Sequence, residues 1–133
     1  MGKIILNSTN LIKSYQNGGK RLVVLNGVNI ELETGTITTI VGESGSGKST
    51  LLNVLSSLDT FDSGKLIIDN EDIMSFNEVN LSSFRNEKIG FIFQFHHLLS
   101  DFTILDNVLM PLWIKNGFGQ YKRPLELLSD FGL

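Results

Sequence analysis

The segment Gly42-Glu43-Ser44-Gly45-Ser46-Gly47-Lys48-Ser49 satisfies the spacing G-x-x-x-x-G-K-[ST] at every fixed position. Ahead of it, Thr36-Ile37-Thr38-Thr39-Ile40-Val41 is β-branched and reads as a strand. Behind it, Leu51, Leu52, Leu55 and Leu58 recur at helical spacing. A glycine-rich turn between a strand and a helix is built to wrap an anion. Successive backbone N–H groups from about 45 to 50 can surround phosphate oxygens if side chains stay clear, hence Gly42, Gly45 and Gly47, with Ser44 and Ser46 between them. The helix points its positive end at the same charge. Lys48 supplies a mobile cation for β- and γ-phosphates, Ser49 a hydroxyl for Mg²⁺, and Thr50 a hydroxyl within reach of an α-phosphate oxygen. The pattern therefore specifies nucleotide binding. By itself it does not choose among ATPase, GTPase, kinase and transporter.

Composition bounds the rest. The 133 residues amount to one domain's worth, and 41% are hydrophobic, enough to fill a core. Lys and Arg number 11 against 14 Asp and Glu, a net charge of −3, which disfavours nucleic acid as a partner. There is no Cys, so disulfides, thiolate metal sites and a Cys nucleophile are excluded. Near the amino terminus only Ile4-Ile5-Leu6 precedes Asn7, too short for a secretory core of roughly 7–15 apolar residues. No run approaches the ~18 apolar residues of a spanning helix. The expectation is a cytosolic chain able to dock on a membrane protein.

Periodicity and turn residues suggest three stretches. Residues 1–35 read as an antiparallel β region, with strands at Leu22–Leu25 and Val28–Leu32 and turns at Asn17-Gly18-Gly19 and Asn26-Gly27. Residues 36–94 hold the phosphate loop and its helix, the turn Asp62-Ser63-Gly64, a short strand Leu66-Ile67-Ile68, a helix over about 76–87 with a Ser75/Glu78 capping box, and a buried-type strand Ile89–Phe93. Residues 95–133 begin a helical part. There Thr103 and Asp106 form a second capping box, Pro111 lies inside the helix, Gly117 stops it, and Pro124 opens a last helix carrying Leu125, Leu128 and Phe131.

Two further residues fall in register with the loop. Tyr15 closes the first strand region, and Gln94 closes the strand Gly90-Phe91-Ile92-Phe93. Together with Gly42–Thr50, the Asp62-Ser63-Gly64 turn and Ile104-Leu105-Asp106-Asn107-Val108, they resemble the ATP-binding subunits of ABC transporters along the whole chain. The resemblance implies an α/β P-loop NTPase of the ABC ATPase type, with an N-terminal antiparallel β subdomain and the start of a helical subdomain. It makes Tyr15 the adenine-stacking aromatic and Gln94 the glutamine that touches Mg²⁺ and the attacking water. Lys48 and Gln94 are then the catalytic residues in this stretch, and Ser49 and Gln94 the metal contacts. It further implies ATP and Mg²⁺ as cofactors, a homodimer around two ATP, membrane permease subunits as partners, and a peripheral position on the cytoplasmic face of the inner membrane. Phe93-Gln94-Phe95-His96-His97-Leu98-Leu99-Ser100-Asp101-Phe102-Thr103 is most similar to the lipoprotein-releasing branch, which usually has Pro where this chain has Ser100. Branches exporting macrolides or peptides have similar neighbourhoods. A P-loop small-molecule kinase and a non-catalytic nucleotide-binding fragment are the readings from other classes.

Several tempting features are set aside. Adjacent side chains of His96-His97 diverge, with no third ligand nearby, so they are not read as a zinc site. Asp130-Phe131-Gly132 reads as a helix end, and Asp69 after Leu66-Ile67-Ile68 as part of a short hairpin. The signature loop, the Walker B strand with its catalytic Glu, and the switch His of the family are not found after Gln94. The expectation is the N-terminal part of a longer domain, marginally stable or associating by itself and with negligible ATP hydrolysis.

Overall fold

The computed structural model describes residues 2–95, 97–119 and 121–133. They form two compact units, one reaching to Leu81 and the other covering Ser82–Leu133.

The first unit is built on strand β1 (Ile4–Asn17), which pairs antiparallel with β2 (Lys20–Glu33) on one side and β3 (Ser63–Ile68) on the other. A short β4 (Glu71–Asp72) completes a four-stranded sheet of order β2-β1-β3-β4. The expected turn at Asn17-Gly18-Gly19 is present and closes the β1–β2 hairpin. The expected turn at Asn26-Gly27 is not: β2 runs through it unbroken. The register jumps from Leu11↔Val28 to Ile12↔Asn26, so Gly27 is the extra residue of a bulge. The Asn-Gly pair therefore kinks a strand instead of reversing it.

A second bulge sets which residues of β1 face the core. Side chains alternate along a strand, so an inserted residue reverses the parity. On β1 the buried positions are Leu6 and Ser8 before the bulge at Asn10, and Leu11 and Lys13 after it. Gly64 lies opposite this irregularity. A Cβ there would sit 2.5 Å from the Asn10 carbonyl oxygen and 2.8 Å from Leu11 Cα, and its φ is +110°. Only glycine allows β3 to approach the bulged strand this closely.

Helix α1 (Lys48–Leu55) follows the phosphate loop and buries Val54 and Leu55. It stops one turn short of the Leu58 suggested by its periodicity. Ser57 adopts φ 56°, and the Leu58 N–H donates to the Asn53 carbonyl at 2.8 Å, a left-handed helix stop usually made by glycine. Leu11, Leu25, Phe61, Leu66, Ile68 and Ile73 are also buried in this unit. Asp69 and Asn70, both at positive φ, turn β3 into β4, as expected for a short hairpin.

Thr36–Val41 is unpaired, with Ile37 98% and Val41 83% exposed. Ile89–Phe93, in the second unit, is likewise unpaired, with Ile92 99% exposed. Both were expected as strands. A strand requires a hydrogen-bonded neighbour, and among the described residues neither segment has one.

Helix α2 (Glu78–Lys88) runs across the boundary between the units. Its cap is Asn77, whose side chain accepts the Asn80 N–H at 2.8 Å; Ser75 ends a short 3₁₀ turn and donates to the Asp72 carbonyl at 2.7 Å. The capping box expected at Ser75/Glu78 is thus displaced by a better-placed Asn. In the second unit, α3 (Ile104–Asn116) packs with α4 (Lys122–Asp130), burying Leu109 and Pro124. The Thr103/Asp106 capping box is formed, Pro111 lies inside α3, and Gly117 caps it. Asp130-Phe131-Gly132 closes α4, as expected.

Gly64→Ala is expected to destabilise the fold by about 2–4 kcal/mol, from backbone strain plus overpacking. Gly35→Ala, also at positive φ but with nothing within 4 Å of its Cβ, should cost about 1 kcal/mol. Urea denaturation of the two variants checks this; equal losses would contradict the close-approach account.

Candidate nucleotide site

The loop Gly42–Gly47 follows the unpaired segment 36–41 and delivers the chain into α1. Its curvature comes from a turn in which the Ser46 N–H donates to the Glu43 carbonyl at 3.2 Å. Gly47 is the N-cap of α1, at φ 92°, and offers no side-chain capping bond to the first helical turn. A Cβ at Gly47 would lie 2.9 Å from Val24 Cγ1 and 3.3 Å from the Val24 carbonyl oxygen. Val24 is the residue that β2 bulges out between Leu25 and Val23. The third loop glycine thus lets the helix begin directly against β2.

Lys48 folds back over the loop. Its Nζ donates to the carbonyl oxygens of Gly42 at 3.0 Å and Glu43 at 2.6 Å, with the Ser46 hydroxyl at 3.5 Å. The ammonium is thus held on the loop, ahead of a helix whose N-cap makes no side-chain capping bond. This donor set suits a polyanion: oriented N–H groups, a helix N-terminus and one cation converge. Ser49 and Thr50 follow in the first turn of α1. The chemistry of the set fits a nucleotide's phosphates, with the Ser49 hydroxyl as a hard oxygen donor suited to Mg²⁺.

Tyr15 belongs to the same unit. It is 39% exposed near the end of β1 and donates its hydroxyl to Asp59 Oδ2 at 2.6 Å. Lys13, only 6% exposed, pairs with Asp59 Oδ1 at 2.7 Å and places its Nζ 4.8 Å from the Tyr15 ring centroid. The bond to Asp59 and partial burial raise the Tyr15 pKa above 10.0, while Thr50 and Lys13 pull the other way. Burial pushes the Asp59 carboxyl up, but bonds from Lys13, Tyr15 and the Thr60 N–H outweigh it and hold the group below 3.8. Nearby, Asp62 accepts from Ser14 and from Arg21, and is likewise held below 3.8.

Of the residues expected at the site, Tyr15 and the loop Gly42–Thr50 lie in one unit; Lys13 and Asp59, which contact Tyr15, were not among those expected. The readable signal for Lys13 was its position two residues before Tyr15, on the same strand face. Asp59 lies in an irregular connection and had none. Gln94 lies in the second unit, exposed in a bend after the unpaired 89–93 segment.

Also missed was Asn107. Its amide donates to the carbonyls of Leu99 at 3.2 Å, Phe102 at 3.3 Å and Thr103 at 2.9 Å, and accepts the Leu99 N–H at 2.9 Å. It holds the loop before α3 so that Leu98, Leu99 and Phe102 stay exposed. His97 sets its ring edge-on to Phe93 at 4.8 Å; His96 lies outside the described residues. Among the described residues, no group of three His, Cys, Asp or Glu could hold a metal, and no helix is long and apolar enough to cross a membrane.

An antiparallel β region leading into a glycine-lined phosphate loop and helix, with a helical unit after it, defines an ATP-binding cassette. The ABC transporter family model matches residues 25–133, and the chain belongs to that family. It is 49% identical to a lipoprotein-releasing system ATP-binding protein of Chlorobium chlorochromatii, across 97% of this chain and 57% of that protein. It is 43% identical to the corresponding protein of Pseudoalteromonas translucida, across 100% of this chain and 58% of that one. Among solved structures, a dimeric ATP-binding cassette in a post-hydrolysis state bound to ADP and Pi superposes with a TM-score of 0.86 at 35% identity, covering 96% of this chain and 57% of that one. The chain therefore spans rather more than half the length of these relatives.

Stability should depend on pH through the two aspartates. Both have folded-state pKa values below 3.8, so their stabilisation is complete above that value and is lost as pH falls through the lowered values. Thermal melts taken from pH 6 down to about pH 2 should fall more gently for Asp59→Asn than for the native chain. An unchanged slope would contradict the assignment.

Proposed function

We propose that this chain is the nucleotide-binding part of an ABC transporter ATP-binding subunit that powers release of lipoproteins through a membrane permease. The observation that carries the nucleotide reading is Lys48 held over a loop whose next helix starts without a side-chain cap. The lipoprotein reading is supported by the relatives that this chain matches almost end to end. Family membership sets the small-molecule kinase aside.

In this reading the N–H groups around Gly45–Thr50 bind the phosphate chain, and Lys48 moves its ammonium from the loop carbonyls onto the β- and γ-phosphates. Tyr15 offers its ring to adenine. Ser49 and Gln94 would hold Mg²⁺, which when bound neutralises charge on the phosphate oxygens. Gln94 orients the attacking water. Hydrolysis is in-line attack of water on the γ-phosphate, governed mainly by positioning and charge. It is proposed for the whole protein, acting as a homodimer around two ATP on the cytoplasmic face of the membrane. The loop held by Asn107, following directly on Gln94, presents Leu98, Leu99 and Phe102 to the permease. Occupancy of the phosphate site would thereby be transmitted to the membrane partner.

Two measurements test this. Isothermal titration should show MgATP binding that Lys48→Ala weakens by about tenfold to a hundredfold, the worth of a charge-assisted contact. Proteoliposomes holding the whole subunit and its permease should release a lipidated protein only with ATP, and not with Lys48→Ala. Macrolide efflux without lipoprotein release would overturn the substrate assignment.

A further inference from the structure

The mechanism proposed above uses Tyr15 as a flat surface for the base, but an aromatic ring at a strand end is free to rotate unless something fixes it. Here its place on the strand and two contacts fix it. The bulge at Asn10 sets the parity of β1 so that Leu11 and Lys13 are buried on one face, and Tyr15 continues that row. Lys13 lies with its Nζ over the ring, 4.8 Å from the centroid. Asp59 bridges the two side chains, with one carboxylate oxygen on the Lys13 ammonium at 2.7 Å and the other on the Tyr15 hydroxyl at 2.6 Å.

Asp59 is itself firmly placed. Its N–H and that of Leu58 both donate to the Asn53 carbonyl, at 3.1 and 2.8 Å, locking it to the end of α1. The Thr60 N–H binds its Oδ1 at 2.7 Å. The helix whose beginning carries the phosphate loop therefore carries at its end the carboxylate that orients Tyr15. In a nucleotide the separation of base and phosphates is covalently bounded, so a site that holds both ends gains affinity by fixing their spacing in advance.

We propose that Lys13 and Asp59 are positioning residues for nucleotide binding: with Lys13 occupying one face of the Tyr15 ring and Asp59 holding its hydroxyl, the opposite face is presented to the base at a fixed distance from the phosphate loop. The proposal rests on the reading of Tyr15 as the base-stacking residue. Neither positioning residue touches the nucleotide, and their effect is confined to the base.

The test compares MgATP with inorganic triphosphate, which has phosphates but no base, by isothermal titration on the full chain. Tyr15→Ala should weaken MgATP by about fivefold to a hundredfold, the worth of one stacked base, and leave triphosphate unchanged. Tyr15→Phe keeps the ring and loses the hydroxyl that bonds Asp59; it should weaken MgATP by about threefold or more and spare triphosphate. Asp59→Asn should do the same. Because Asp59→Asn leaves the Lys13 charge buried without its partner, a general loss of folding is recognisable as equal loss of both ligands, and Tyr15→Phe then decides. If Tyr15→Ala weakens MgATP while Tyr15→Phe and Asp59→Asn bind it normally, the positioning role is overturned and the stacking role stands. If Tyr15→Ala binds MgATP normally, both fall.

Discussion

The contact of Gly47 with Val24 is the constraint on which the site depends. Helix α1 must begin against β2 for its first-turn N–H groups to converge with the loop, and any side chain at position 47 would collide with Val24. The bulge that pushes Val24 out of the β1–β2 ladder supplies the other half of that contact. Loop, helix and sheet are thus fixed relative to one another by a glycine on one side and an irregularity on the other. Apolar burial of Val54 and Leu55 then holds the helix in place once its start is set.

The same economy appears along β1. One inserted residue at Asn10 aligns Leu6, Ser8, Leu11 and Lys13 on the buried face and forces Gly64 opposite. A buried Lys is costly unless paired, and the pairing with Asp59 also reaches Tyr15. Core packing, a buried ion pair and the orientation of an aromatic ring therefore share one set of contacts. This ties the antiparallel sheet, which has no part in phosphate chemistry, to the phosphate helix.

Much of this was legible in the sequence where chemistry restricts residue type. The loop Gly42–Ser49 tolerates few alternatives, and the Thr103/Asp106 cap and the Gly117 stop follow from unpaired helix-end groups. Asn26-Gly27 misled because the dipeptide that favours a hairpin turn also suits a bulge; only the partner strand decides between them. Ser75 misled because Asn77, two residues on, caps the same helix. Thr36–Val41 and Ile89–Phe93 carry the pattern of buried strands, but pattern describes the sheet a segment would join, and the described residues offer it no partner. Asp59 and Asn107 could not be read at all, since each acts through contacts that exist only after folding.

The central claim is that backbone N–H groups seated on β2 by Gly47 receive the nucleotide's phosphates. Amide chemical shifts on addition of MgATP test it residue by residue. The account predicts that the largest changes fall on Gly45, Ser46, Gly47, Lys48, Ser49 and Thr50, saturating together. Changes of equal size spread over the sheet, or a loop whose amides do not move while ATP binds elsewhere, would contradict it.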